Sequence, residues 1–348
     1  STNYLIESVP TLPRILATHG YRSFQSGKHW EGSYRTAGFT HGMTTGLPTQ
    51  RVSDITGTRA QKNGDLVAHG NGDAGLVIGR ETMQPLLDFI DQQSQESPFF
   101  LWYAPFLPHT PFDAPERFRE VYTDRSVPAY LLPYYAEIAR FDETVGTLIA
   151  ALRERNLMQE TIVIFVSDNG FRPDISAPDR QDKRSKLSEF DDGLRTPILI
   201  YQEGRTCCNQ FTQLVHTVDL VPTILDAVGY SEEVTPRMKG VSLWKAATTG
   251  TPPEDRPVFG AIYPNDAEVL GQPSRHVRFR WVRKGSWKLI VPAARDRSGG
   301  LRLFNLNDDP TELHNLANNP DHQSLIAELQ QALNQWWTGN DNADVTQR

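Results

Sequence analysis

The chain has 348 residues, and its 42 acidic against 35 basic side chains give a formal net charge of −7. This balance argues against a general nucleic-acid binder, which needs a basic surface, and no apolar run approaches the roughly 18 residues of a membrane span. The two cysteines, Cys207 and Cys208, are too few for a disulfide framework or a cysteine-rich zinc site.

The first 104 residues alternate between helical and extended patterns. Apolar residues at helical spacing predict a helix over residues 10–19, and a short strand follows over residues 21–26. Residues 36–75 are rich in Gly, Thr and Asp and predict a long loop region. A second helical pattern covers residues 80–93, and a continuous apolar run predicts a buried strand over residues 98–104.

The alternation continues through the middle of the chain. A long amphipathic helix is predicted over residues 131–155, followed by strands over residues 161–166 and 196–201 and a helix over residues 217–228. Apolar strands that alternate with helices favour an α/β fold. We therefore predict a mixed, mostly parallel sheet sandwiched by helices.

The pattern changes near residue 250, where a polar, Pro-rich stretch predicts a linker. Residues 275–291 alternate around a turn and predict an antiparallel hairpin with one solvent-exposed face. Residues 323–337 predict a closing helix. We predict an α/β domain over residues 1–247 and a small C-terminal α+β subdomain, an antiparallel sheet plus a helix, over residues 248–348.

Polar clusters follow several of the predicted strands, where ligands collect in sheets of this kind. Asp168 and Asn169 offer hard oxygens that suit Ca²⁺ or Mg²⁺. His109 lies between two prolines that restrict its loop. Lys28 and Lys186, if they converge on one cleft, would suit a multiply charged oxyanion such as sulfate or phosphate.

Each of these residues alone has a simpler interpretation. Asp-Asn-Gly after a strand is most often a turn, and isolated lysines or a loop histidine are usually solvated. The basic residues Arg278, Arg280 and Arg283 are better interpreted as the solvated face of the hairpin than as a substrate platform. Only the combination of motifs favours a functional site.

In combination, the segments resemble the sulfatase family of the alkaline-phosphatase superfamily, and the resemblance covers almost the whole chain. The stretches that carry it are residues 11–16, 20–22, 26–28, 108–111, 161–170, 186, 193–197, 218–225, 288–290, 303–306, 309–312 and 315–317. Any one motif is weak, but their order and spacing are specific.

The resemblance implies a hydrolase of sulfate esters that uses a formylglycine made from Cys or Ser. It implies that Asp168 and Asn169 bind a divalent cation, usually Ca²⁺, with Mg²⁺ as the alternative. It also implies that Lys28 binds sulfate, and that His109 and Lys186 hold the sulfate and stabilise or protonate the leaving oxygen. Cleavage of the S–O bond builds negative charge on that oxygen, so positioned cations and a proton donor lower the barrier.

The chain departs from the family pattern at two positions. The family has a histidine two positions after its lysine, whereas His29 follows Lys28 directly, which makes His29 the candidate for that role. Asp192 stands where the family often has Gly.

The nucleophile motif C/S-x-P-x-R has no counterpart at its family position. Ser176–Arg180 matches its letters but lies where the family has no nucleophile, and we interpret it as a loop. The motif and a pair of metal-binding aspartates normally precede the segment that begins at Pro10. We therefore expect them to be missing from the 348 residues, and these residues alone to be inactive. No signal peptide is visible, and the resemblance implies a periplasmic or secreted protein.

Three functions remain open. The first is a sulfatase acting on a sulfated small molecule or carbohydrate, with the alcohol part held by loops such as residues 34–75 and 263–280. The second is a phosphate- or phosphonate-ester hydrolase of the same superfamily. The third is a non-catalytic sulfated-glycan-binding protein with contacts at Arg275, Arg278 and Arg280. No nucleic-acid partner is expected, and the oligomeric state is not readable from the sequence.

Overall fold

The computed structural model describes residues 3–29, 33–45, 58–60, 66–68, 77–93, 97–263, 272–293 and 300–338. It divides into two compact units, one of residues 1–158 with 175–179 and one of residues 159–174 with 180–348. This division differs from the predicted boundary between residues 247 and 248, which stays a prediction.

The first unit is built on parallel strands. Helices α1 (Asn3–Ser8) and α2 (Leu12–Thr18) precede strand β1 (Arg22–Gly27), which lies between β2 (His41–Gly42) and β5 (Phe99–Ala104) and pairs with both in parallel. The register pairs Arg22 with Phe99 and Gly27 with Ala104. Both predicted strands are confirmed, and their carboxyl ends lie side by side.

Helices of the first unit pack their apolar sides inward. Helix α3 (Gln84–Asp91) buries Leu86, Phe89 and Ile90, and the Phe89 ring lies 5.0 Å from that of Phe24 on β1. Helix α4 (Glu116–Glu120) and the long helix α5 (Leu132–Glu154) follow. The predicted helical patterns at 10–19, 80–93 and 131–155 are thus confirmed.

The predicted loop region at 36–75 contains regular structure. A 3₁₀ helix, Tyr34–Ala37, and strand β2 lie at its start, and β3 (Thr58–Ala60) pairs antiparallel with β4 (Leu66–Ala68). The prediction of a loop region is wrong where these elements lie. Residues 46–57, 61–65 and 69–75, which the same prediction covers, lie outside the described residues.

The second unit begins with a strand pair. Strand β6 (Val163–Val166) pairs antiparallel with β7 (Ile198–Tyr201), and the short helix α6 (Asp191–Leu194) lies between them in sequence. Helix α7 (Leu220–Ala227) is followed by Gly229, whose positive φ of 85° suits the residue after a helix end. Helix α8 (Trp244–Thr249) then leads into the C-terminal sheet.

The C-terminal sheet is antiparallel and ends with a helix, as predicted. Its strand order is β11–β10–β9–β8, with bounds β8 Val258–Ile262, β9 Phe279–Lys284, β10 Trp287–Pro292 and β11 Arg302–Asn305. Helix α9 (Gln323–Trp336) follows. The mixed α/β class with an antiparallel C-terminal sheet and helix is therefore confirmed.

The prediction of one solvent-exposed face for the β9–β10 hairpin is wrong, because both faces are packed. Phe279, Trp281 and Ile290 lie on one face in a cluster with Phe190 and Phe304. The other face holds a second cluster against α9, made of Val282, Leu289, Leu303, Ile326, Leu329 and Leu333. Arginines are accommodated on these packed faces because they interact with other side chains. Arg283 forms a salt bridge with Asp191, and the Arg280 guanidinium lies 5.4 Å from the centre of the Trp337 ring.

None of the helices in the described parts of the chain combines the length and apolar character that a bilayer crossing requires.

Candidate functional site

The predicted site residues fall into two groups, one in each compact unit. Lys28, His29 and His109 belong to the first unit, and the pair Asp168 and Asn169 belongs to the second with Lys186. Each group is described from its own contacts.

Lys28 emerges from β1 at a close contact between main chains. Gly27 has a φ of 77°, and a Cβ atom at this position would lie 1.8 Å from the Ala104 carbonyl oxygen, so only glycine fits. The Lys28 N–H donates to the same oxygen at 2.7 Å. The main chain at Lys28 is therefore fixed against the end of β5.

Phe106 connects Lys28 with His109. The Lys28 ammonium lies 4.9 Å from the centre of the Phe106 ring, and the His109 ring lies 4.6 Å from it. The main-chain N–H of His109 donates to the Phe106 carbonyl oxygen at 2.9 Å. The structure thus brings these two predicted residues to the same aromatic ring, whereas the His29 ring lies 6.4 Å from that of Phe39.

The His109 imidazole is oriented by its neighbour. Its Nδ1 lies 2.9 Å from the Thr110 carbonyl oxygen and 3.1 Å from the Thr110 hydroxyl. A carbonyl can only accept, so this contact assigns a proton to Nδ1. Nε2 is then the ring nitrogen that can exchange a proton with a ligand.

Arg80 braces the His109 loop, and the sequence analysis missed it. Its side chain is only 6% exposed, and its Nη2 donates to the carbonyl oxygens of His109 and Pro111 at 2.8 and 3.0 Å. Its Nη1 pairs with Asp113, which also pairs with Arg140 at 3.0 Å. Sequence carries no signal for this role, because the arginine lies 29 residues before the loop it holds.

Glu137 completes this arginine cluster below the surface. Its side chain is fully buried, 3.8 Å from Arg140. Burial raises the pKa of the Glu137 carboxyl, and the charges of Arg80 and Arg140 offset part of that rise. The two guanidinium groups are therefore balanced by carboxylates at Asp113 and Glu137.

In the second unit, Asp168 and Asn169 follow β6 as predicted. Asp168 is exposed, whereas Asn169 is half-buried and donates its side-chain N–H to the Gly170 carbonyl at 2.9 Å. Ser167 Oγ donates to the Asn169 carbonyl at the same distance. These bonds hold the loop as a tight turn, with the Asp168 carboxylate open to solvent.

The Asp168 loop packs directly on the turn before β7. Gly170 N–H donates to the Gly193 carbonyl at 3.0 Å, and a Cβ on Gly170 would lie 2.3 Å from the Asp192 carbonyl oxygen. A Cβ on Gly193 would in turn lie 2.1 Å from the Ser185 carbonyl oxygen. Lys186 follows Ser185, so the structure brings the Asp168 loop and residues 184–189 around Lys186, the lysine loop, onto the same turn.

Arg172 explains the unusual aspartate in that turn. Its guanidinium pairs with Asp192 at 2.8 Å and with Asp182 at 2.9 Å, and its N–H donates to Ser185 Oγ at 2.6 Å. A glycine at position 192 could not make the first of these contacts. The departure from the family pattern therefore supplies a salt bridge that ties the two loops together.

Leu187, next to Lys186, has a strained backbone. Its φ is 68°, in the left-handed region that non-glycine residues seldom adopt. Its side chain is 53% exposed, so burial of the leucine does not compensate for this strain. Strained residues of this kind concentrate at functional sites.

A metal site is only partly formed by these residues. The Asp168 carboxylate and the Asn169 amide oxygen are the hard ligands that Ca²⁺ or Mg²⁺ prefers, and they fit such an ion in kind. Ca²⁺ takes about six to eight ligands, and within the described ranges no group of three or more His, Cys, Asp or Glu side chains is arranged to hold a metal. Asp168 and Asn169 therefore supply only two of the side-chain ligands that such a cation needs.

Family models match most of the chain. The model described as Sulfatase matches residues 1–230, and the model described as N-sulphoglucosamine sulphohydrolase, C-terminal, matches residues 181–338. The N-acetylglucosamine-6-sulfatase of Bos taurus is 24% identical over 383 residues, which cover 92% of this chain and 67% of that protein. The N-acetylgalactosamine-6-sulfatase of Homo sapiens is 28% identical over 212 residues, 59% of this chain and 38% of that protein.

Solved structures with the same fold cover nearly the whole chain. The sulfatase-family protein yidJ of Bacteroides fragilis aligns with a TM-score of 0.72 at 20% identity, over 97% of this chain and 79% of that one. A protein in complex with its substrate D-glucosamine-2-N,6-O-disulfate gives 0.70 at 17% identity, over 97% and 83%. The phosphonate monoester hydrolase of Silicibacter pomeroyi gives 0.68 at 17% identity, over 98% and 81%. At these identities the likeness establishes the fold alone.

Proposed function

The chain belongs to the sulfatase family, and from this premise we propose that the complete protein hydrolyses the sulfate ester of a small molecule or a carbohydrate. The observation that carries the proposal is the arrangement of Lys28 and His109 around Phe106, at the ends of two adjacent parallel strands. A cation and a proton donor that contact the same ring suit an anionic ester whose leaving oxygen gains charge.

His109 is proposed as the general acid. With Nδ1–H held by the Thr110 carbonyl, the imidazolium can donate the proton on Nε2 to the alcohol oxygen as the S–O bond breaks. The bonding electrons leave with that oxygen, so the protonated alcohol departs as a neutral product. The net reaction consumes one water and yields the alcohol, sulfate and one proton.

Lys28 and Lys186 are proposed to hold the sulfate group. Each ammonium carries one positive charge. The sulfate ester carries one negative charge before cleavage, and the sulfate product carries two, so the attraction to the two lysines grows as the bond breaks. Lys186 directly follows Ser185, which is fully buried, so the main chain is held in place immediately before Lys186. His29 remains the candidate for the family histidine.

Asp168 and Asn169 are proposed to contribute two oxygen ligands to a divalent cation, Ca²⁺ or Mg²⁺. Such an ion would polarise a sulfate oxygen and offset its negative charge. The formylglycine that the family resemblance implies is not among the residues assigned here, and their roles do not depend on which residue supplies it. Location in the periplasm or outside the cell also stays a prediction.

The experiment is an assay of the complete protein with an aryl sulfate and with sulfated glucosamine. We expect hydrolysis that falls at least 100-fold in Lys28→Ala and His109→Ala, on the scale of a lost general acid. Lys183→Ala and His314→Ala, which change exposed residues, serve as controls and should keep full activity. Sulfated glycan binding without turnover would instead favour a binding protein.

A phosphate- or phosphonate-ester hydrolase is the second candidate. It is supported by the structural likeness to a phosphonate monoester hydrolase and by the similar charge needs of both ester groups. The same assay with phenyl phosphate and a phenyl phosphonate monoester separates the two. Faster turnover of either than of the aryl sulfate would overturn the sulfatase proposal.

A further inference from the structure

Lys288 on β10 is a buried lysine with two carboxylate partners. Its side chain is 0% exposed, and its ammonium lies 2.8 Å from Asp191 Oδ1 and 2.8 Å from Glu312 Oε1. Moving an ammonium group out of water is costly unless it is paired, and even a paired one is often no more stable than apolar side chains of similar size. A role beyond stability therefore has to be sought in what the lysine holds.

Lys288 is one of three contacts that fix Asp191. Arg283, its cross-strand neighbour on β9, pairs with Asp191 Oδ2 at 3.0 Å. Glu312 accepts the Asp191 N–H at 2.6 Å through Oε2, while its other oxygen faces Lys288. Both the side chain and the main chain of Asp191 are thus held by the C-terminal sheet and the segment after it.

Asp191 is close in the chain to the support of the lysine loop. It begins the four-residue helix α6, and Gly193 within that helix contacts the Ser185 carbonyl so closely that no side chain fits. Ser185 directly precedes Lys186. Gly193 lies two residues after Asp191 and contacts the main chain just before Lys186. A displacement of Asp191 would therefore move Gly193 and, with it, the main chain that carries Lys186.

The remainder of the lysine loop is tied to the same region on both sides. Before Lys186, Arg184 donates to the carbonyl oxygens of Thr311 and Glu312 at 3.0 and 2.5 Å. After it, Glu189 pairs with Arg302 on β11 at 2.7 Å. Between these anchors lies Leu187, whose left-handed backbone persists only where its surroundings enforce it.

We infer that Lys288 is a positioning residue for Lys186, which acts through Asp191 and the turn at Gly193. This inference rests on the proposed role of Lys186 in holding sulfate. In this role Lys288 does not contact the substrate and acts only through Asp191. Its contribution is to keep the lysine loop in the one conformation that suits the ester.

The first test compares Lys288→Met with Lys284→Met in the complete protein. Lys284 lies on the same hairpin, but its side chain is 56% exposed and pairs with Glu328 on the surface. We expect kcat for an aryl sulfate to fall about 10- to 100-fold in Lys288→Met, the scale of a small misplacement of a catalytic group. KM should change less than kcat, and Lys284→Met should match the wild type.

A second variant separates position from stability. Lys288→Met leaves the buried Glu312 carboxylate without its cation and leaves Asp191 with Arg283 alone, which lowers the melting temperature. The triple variant Lys288→Met, Asp191→Asn, Glu312→Gln removes the charges of these three residues and keeps an amide oxygen at position 191 for Arg283. We expect it to regain most of the melting temperature while kcat stays low. Recovery of both quantities together would overturn the inference, since Lys288 would then be structural only.

A third readout does not depend on activity. Trypsin cleaves after lysine and arginine; Lys183 directly precedes the lysine loop, and Arg184 and Lys186 lie in it. We expect cleavage in this loop, followed by mass spectrometry, to be faster in folded Lys288→Met than in the wild type or Lys284→Met. Equal cleavage rates would overturn the inference. If the wild type hydrolyses no sulfate ester, the proposed function fails while this measurement still decides whether Lys288 holds the loop.

Discussion

Arg80 illustrates how one side chain can shape a site without touching a ligand. Its guanidinium donates to two carbonyl oxygens of the His109 loop and pairs with Asp113. Arg140 donates to the Arg80 carbonyl at 2.8 Å and so holds the brace itself in place. The position of His109 therefore depends on residues that come from two other segments of the chain.

Replacement of Arg80 tests this dependence. Arg80→Gln removes charge-assisted bonds worth about 1.5–3 kcal/mol each when buried, and we expect kcat for the sulfate ester to fall about 10-fold or more while KM changes little. The control is Arg117→Gln, because Arg117 is 58% exposed and pairs with Glu143 at the surface. A wild-type kcat in folded Arg80→Gln would show that the loop keeps its shape without the brace.

Glu137 predicts a pH dependence of stability. Burial raises its pKa above the usual 4.5, so the folded protein holds this proton more tightly than the unfolded chain. Stability from the protonated form is full below about pH 4.5 and is lost as the pH rises through the raised pKa. In Glu137→Gln this loss is absent, so the stability of the variant relative to the wild type should increase from pH 4.5 to 8.

Urea unfolding at several pH values measures this difference. Glu154→Gln is the matched control, since Glu154 lies on the same helix with its side chain 76% exposed. A constant difference between Glu137→Gln and the wild type across this range would contradict the assignment of a raised pKa.

At the scale of elements, the β9–β10 hairpin separates two clusters of side chains. Trp281 and Ile290 face the cluster that contains Phe190, whereas Val282 and Leu289 face α9. Lys288 lies on the same face as Trp281, in register with Arg283. The hairpin therefore links the packing of the C-terminal helix to the charges that hold Asp191.

Helix α9 should contribute strongly to the stability of this sheet. Leu329 is 1% exposed in the cluster against β9 and β10, and Leu329→Ala is expected to cost about 2–5 kcal/mol of unfolding free energy. Gln331→Ala, an exposed change on the same helix, should stay within about 0.5 kcal/mol. Chemical denaturation of both variants measures the difference, and equal values would show that α9 is not part of the folded core.

The elements that the sequence predicts correctly are those with a local signal. The helical spacing at 131–155 and the alternation at 275–291 both correspond to elements found in the structure. The exposed face assigned to the hairpin failed because the residues of α9 that pack on it, Ile326, Leu329 and Leu333, are distant in the chain. Alternation alone does not distinguish an arginine in water from one paired with Asp191.

The candidate site shows the same limit. Lys28 and His109 were predicted from motifs, and the parallel pairing of β1 with β5 brings them together. Arg80, Arg172 and Lys288 were not, because their roles depend on contacts across 29, 20 and 97 residues of chain. The roles of the predicted residues in catalysis and metal binding stay predictions until the variants above are measured.

At the scale of the whole molecule, the charge and the fold point to local recognition. The net charge of −7 disfavours a broad basic track for a long polyanion. Among the described residues, Lys28 lies over the Phe106 ring, whereas Arg283 and Lys288 are paired with nearby carboxylates.

The contact between Gly27 and Ala104 has a consequence for how such a protein can diversify. Because main-chain atoms make this contact, the separation between the exits of β1 and β5 does not depend on side-chain rotamers. Any descendant that keeps a glycine there and the parallel pairing inherits the spacing between the two strand ends from which the lysine and histidine segments begin. Residues in the surrounding loops can then change without altering the distance between these two strand ends.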